Sequence, residues 1–207
     1  MLTRPPQRTF TTGDKLMISE LCEALLAAHR RHGIDISQDL LPGLPREAIE
    51  AETAWFPSRL PDDLIALYGW RNGQPEDAWN SQNVLWFRDM QFTSLQRARD
   101  EYVSMMDSYG LDNDPASEGI DLRMCFPFAS FNGGWYVVPC EGPRLDSRFP
   151  FPVVSVFQGI SIYFDSIETM LRTCVDWRVA SSWSGDDWEL PEHLEMEIWR
   201  RYNQGRR

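Results

Sequence analysis

The feature that most constrains this chain is a change of period. Up to residue 109, apolar side chains recur at helical spacing. From Met124 to Phe164 they fall instead into four short runs, MCFPFA, GWYVVP, PVVSVF and ISIYF, bounded by Asn, Gly and Pro. Apolar runs of that length between turn residues read as strands. Gln158-Gly159, between the last two, predicts a two-residue hairpin turn, behind which ISIYF alternates. Helical spacing returns at 166–178, with Ile167, Met170, Leu171 and Val175 inward, and at 189–203, with Leu194, Ile198 and Tyr202 on one face. Strands gathered in one stretch with helices before and after do not make the alternating pattern of a parallel sheet. They predict an α+β fold, a mostly antiparallel sheet flanked by helices.

The first half carries four helical patterns. Leu16, Ile18, Leu21, Leu25 and Leu26 approximate one stripe over 14–32, and Gly33 suits the position after a helix end. Residues 45–55 form a short helix with Pro45 in its first turn. In 60–73, Pro61 opens a helix, Asp62 and Asp63 favour its dipole, and Asn72-Gly73 stops it. In 93–109, Thr93 or Ser94 supplies the cap, and Leu95, Ala98, Tyr102, Met105 and Met106 face inward. Val84–Phe87 reads as a strand and 181–188, SSWSGDDW, as a loop.

A chain of 207 residues fits one large domain. At that size a chain hides roughly 70 % of its unfolded surface, so it needs no metal or disulfide staple. Cys22, Cys125, Cys140 and Cys174 contain no CxxC pair and are expected as reduced, partly buried thiols. His29 and His32 share a helix face, but in the last turn they complement the dipole, and a metal is not expected. Asp112-Asn113-Asp114 lacks the glycine and third ligand of a calcium loop. There is no GxSxG, GxxxxGK[ST] or HExxH pattern, so the chain reads as non-enzymatic, with no cofactor. No apolar run approaches the ~18 residues of a membrane span. The first fifteen residues contain no apolar signal region, so the cytoplasm is the expected compartment.

Charge narrows the partner. The net charge is −11. Residues 1–40 are balanced, 41–123 carry net −8 and 124–207 net −3. Such a surface repels nucleic-acid phosphates and anionic lipid and suits a basic partner. Acidic and aromatic side chains meet at Glu76, Asp77 and Trp79, and at Asp186-Asp187-Trp188-Glu189. Asp112, Asp114, Glu118 and Asp121 fill one further loop. Carboxylates beside an exposed Trp can take an Arg or Lys through ion pairs and cation–π contact.

The middle of the pattern resembles the SUKH superfamily, which includes the fungal cell-wall assembly regulators and many bacterial immunity proteins. Leu60-Pro61 through Asn72-Gly73 resembles its signature helix, and LPREAIEAETAWFPSRLP resembles its opening helix. Leu85-Trp86 and TSLQRA resemble the strand and helix that follow. Phe126-Pro127-Phe128-Ala129 with Asn132-Gly133-Gly134-Trp135 resembles the step into its next strand. Pro152–Phe157 and Asp165–Leu171 resemble its last strand and helix. The series spans roughly residues 44–176. The chain then divides into a leader at 1–12, an N-terminal helical extension at 13–40, a SUKH-like body at 41–180 and a C-terminal loop and helix at 181–207.

The resemblance implies a non-enzymatic binding module, an immunity protein that neutralises a cognate, basic protein toxin such as a nuclease. Glu76, Asp77, Trp79, Asp112, Asp114 and Asp121 are the candidate partner-binding residues. A regulatory scaffold of the cell-wall assembly type is the second reading, and an enzyme of unrecognised class the third.

Overall fold

The computed structural model describes residues 17–75, 86–87, 90–109, 120–140, 151–183 and 188–204. The order is α1 (Ile18–Arg30), α2 (Arg46–Glu52), α3 (Asp62–Trp70), β1 (Gln91–Phe92), α4 (Leu95–Tyr109), β2 (Cys125–Phe131), β3 (Gly134–Pro139), β4 (Val153–Val156), β5 (Ile160–Phe164), α5 (Ile167–Ala180), β6 (Ser182–Trp183), β7 (Trp188–Glu189) and α6 (Glu192–Tyr202). Strands β1 to β5 pair in sequence order, every neighbour antiparallel, and β6 pairs with β7. The fold is α+β, as the change of period predicts.

Strands β2, β3 and β4 are buried on both faces, which is why they read as near-continuous apolar runs, whereas β5 alternates and leaves Ser161 exposed. One face sets Phe126, Phe128, Tyr136, Val138, Val153 and Phe164 in a core with Leu21 and Leu25 of α1, Leu64 and Leu67 of α3, and Met170 and Leu171 of α5. The other face carries Cys125, Trp135, Val137, Val154 and Val156, in a second core with Met105 of α4, Ile120 and Leu122. The period of two puts successive residues in different cores.

The N-terminal helix belongs to this packing. Leu21, Cys22 and Leu25 of α1 are fully buried, and Trp70 at the end of α3 donates its Nε1 hydrogen to Glu23 at 2.8 Å. At the other end of the chain, Trp177 Nε1 donates to the Glu195 carbonyl (3.1 Å) and fastens α6 to α5.

Three local expectations differ. The 181–188 stretch is not a simple loop, because β6 and β7 pair Trp183 with Trp188. Of the expected strand at 84–87, residues 86–87 are described, and Phe87 makes only an isolated bridge to Met90. Strand β1 follows there instead, recruited by the edge of β2 and not by any apolar run of its own. The hairpin at 158–159 is present, but Val156 pairs with Ile160, so its loop is the three residues 157–159 and not two, with Gln158 at φ 53° and Phe157 donating to the Gly159 carbonyl (3.0 Å).

Candidate functional site

The residues that carry the signature pattern build a corner. Gly73 holds φ +72°, and a Cβ there would come within 2.5 Å of the Ser94 backbone nitrogen, so glycine is needed twice over. Beside it, Asn72 is buried, and its Oδ1 accepts the Leu95 N–H (3.0 Å) while its Nδ2 donates to Gln96 Oε1 (3.0 Å). Gln74 then lies along β1. Its backbone N–H donates to the Phe92 carbonyl (2.8 Å), and its Oε1 accepts the Phe92 N–H (3.1 Å). The corner fixes where α3 ends and where α4 begins. These are structural roles, since none of the groups is a nucleophile or a titrating base.

Of the sequence-predicted site residues, Glu76, Asp77, Trp79, Asp112 and Asp114 lie outside the described residues. Asp121 is described, and its carboxylate is already engaged. Oδ1 accepts from the Arg123 backbone N–H (3.0 Å) and from Arg123 Nε (2.8 Å), and Oδ2 accepts from the other end of the same guanidinium (2.8 Å). The Arg123 hydrogen bonds hold its carboxyl below the usual carboxylate range. Asp121 caps the 3-10 turn Leu122–Met124 and enters β2 with its charge matched.

The tryptophans tell a similar story. All eight described ones are buried or half-buried. Trp188, which the sequence sets among acidic residues, packs its ring on Trp183 at 4.8 Å. The guanidinium of Arg178 lies 3.8 Å from the centre of the Trp188 ring. The cation–π partner expected from another protein is there supplied by the chain itself.

His29 completes this aromatic knot. Its ring stacks on Trp86 (5.8 Å between centroids) and meets the Trp188 edge at 5.7 Å. It is fully buried, and neither ring nitrogen has a hydrogen-bond partner among the described residues. Burial first, and the Arg178 charge second, push its pKa down to about 3. The Trp86 backbone opposes this weakly, without hydrogen-bond geometry. Neighbouring His32 uses Nε2 to reach the Arg178 carbonyl at 3.0 Å. The pair therefore serves packing. No group of three or more His, Cys, Asp and Glu among the described residues could hold a metal.

A groove of about 880 Å³ opens between α2, the segment leading to α3, and Phe151. Arg46, Glu50, Ser58, Arg59 and Asp62 give it polar walls. Ser58 Oγ is buried without a partner among the described residues, yet no His or Cys lines the groove to activate it. Arg46 is committed to Asp62 at 2.8 Å. The four cysteines are all buried. Burial pushes the Cys22 and Cys125 thiols well up, away from a reactive thiolate. The described residues thus assemble no nucleophile with its base.

No helix of the described residues is long and apolar enough to cross a membrane. No protein-family model and no curated protein matches the sequence.

Proposed function

We propose that this chain is a non-enzymatic binding module, an immunity protein of the SUKH type that neutralises a cognate basic protein toxin. The observation that carries this reading is the net charge of −11, concentrated as −8 within residues 41–123, on a chain whose ordered motifs resemble that superfamily. A strongly acidic binder is drawn to a basic cleft before contact. Its association rate then falls as salt rises, while packed anchors set how slowly it leaves. The carboxylates of Glu76, Asp77, Asp112 and Asp114 are the residues proposed to steer it, with Trp79 as an anchor. Asp121 contributes less, since Arg123 already matches its charge.

The test is affinity purification from the native source at low salt, followed by expression of whatever is retained. The expected result is one stoichiometric, basic protein that arrests growth when expressed alone and is harmless when this chain is co-expressed. A set of substoichiometric, non-toxic envelope or signalling proteins would sink the immunity reading and favour the regulatory scaffold.

A further inference from the structure

An antiparallel sheet has two edges, and here they are treated differently. At the β1 edge, Gln74 bridges Thr93 and uses both backbone and side chain to cover Phe92. At the β5 edge, α6 supplies partial cover. Trp199 Nε1 donates to the Tyr163 carbonyl (3.0 Å), and Asn203 Oδ1 accepts the Asp165 N–H (3.0 Å). That cover stops at Tyr163. Among the described residues Ile160, Ser161 and Ile162 pair only with β4, and Ser161 is exposed.

Natural edges of this kind are usually blunted by a charge or a proline. This one has neither. No charged residue occurs between Arg148 and Asp165, in a chain that is 25 % charged. The neighbouring Phe157, at the hairpin that leads into β5, is 52 % exposed. A neutral edge offers a basic partner nothing to pair with, but it lets two acidic copies approach without setting like charges opposite each other.

The open segment is also its own complement. Ile160-Ser161-Ile162 reads the same in both directions. A two-fold axis through Ser161 sets Ile160 against Ile162 of the second copy, and the reverse, on one face of the sheet. That face is the one where both side chains already pack on the second core. Such an isologous contact closes on itself and does not propagate.

We propose that β5 is a self-association edge, at which a second copy of this chain pairs antiparallel about Ser161 and joins five strands from each copy into one continuous sheet. This goes beyond the immunity reading and stands independently of it. The test is analytical ultracentrifugation of the full chain from micromolar to millimolar concentration, at low and high salt. A monomer–dimer equilibrium is expected, and it tightens with salt because each copy carries −11. Ser161→Glu and Ser161→Lys should each weaken the dimer at least about tenfold, since either residue meets itself across the axis. Ser161 is exposed, so unchanged circular dichroism and melting would show that both variants remain folded. A chain that stays monomeric at all concentrations and both salts overturns the proposal. So does a dimer weakened by only one of the two charges, since that response belongs to two different surfaces meeting.

Discussion

Asn72 caps a helix that begins twenty-three residues further along the chain. Its Oδ1 takes the Leu95 N–H, the first orphan donor of α4, at 3.0 Å, and its Nδ2 reaches Gln96. A residue that reads as the stop signal of α3 thereby becomes part of the start of α4. Asn72→Ala leaves the Leu95 N–H buried without an acceptor and should cost about 1–3 kcal/mol. Asn72→Asp keeps the acceptor at a helix N-terminus and loses only the donor, so it should cost less than half as much. Urea unfolding with an unchanged m-value checks the order, and equal losses for the two variants would remove the capping role.

Gly73 and Gly33 separate two kinds of glycine requirement. Both hold positive φ, +72° and +79°, but a Cβ at Gly33 meets nothing within 4 Å, whereas one at Gly73 strikes the Thr93–Ser94 backbone. Gly33→Ala should therefore cost only backbone strain, about 1–2 kcal/mol. Gly73→Ala adds displacement of the α4 entry and should cost more than twice that, or fail to give soluble protein. Thermal melts of the two alanine variants decide it.

His29 should dominate the stability profile between pH 7 and 5. Folded, its pKa lies at about 3. Unfolded, it returns to the ordinary value of 6.5. The unfolded chain therefore binds a proton that the folded one refuses, and stability present above 6.5 is lost as pH falls from there towards 3. The slope is about 1.4 kcal/mol per pH unit, or about 2 kcal/mol between pH 6.5 and 5. His29→Phe keeps a ring against Trp86 and removes the titration. Chemical denaturation at pH 7 and pH 5 should show a flat profile for that variant, and an equally steep one would acquit His29.

What the sequence disclosed follows from how local each cause is. The sheet was legible because burial on both faces makes strands such as Cys125–Phe131 and Gly134–Pro139 apolar throughout, a signal that needs no partner to be seen. Strands β1, β6 and β7 were not legible. Each is two residues long, and what makes it a strand is the edge it meets. Ser94 holds the N-cap position of α4, one of the two the sequence offers, its carbonyl accepting the Ala98 N–H at 2.9 Å. The acceptor that takes the Leu95 N–H comes from Asn72, at a range no local pattern reports. For the site, the acidic loops were visible as composition. That Arg123 neutralises Asp121 was readable too, in the Asp-Leu-Arg spacing, but only once a 3-10 turn brings the two side chains to one side.

The acidic residues should divide into steering and structural groups. Asp112→Lys with Asp114→Lys reverses two charges of the acidic 112–121 stretch, and should slow association with the basic partner at low salt. The effect should shrink as salt is raised, leaving dissociation nearly unchanged. Asp121→Asn should do the opposite. It releases Arg123, so the net field changes by one charge at a site already paired, and the association rate should stay within about twofold. The loss should appear instead as a modest destabilisation of the turn into β2, where both carboxylate oxygens are used. Stopped-flow association at two salt concentrations, beside a melt of each variant, separates the groups. An association rate that falls more for Asp121→Asn than for the double reversal would place the docking surface at the start of β2 and take it away from the 112–114 stretch.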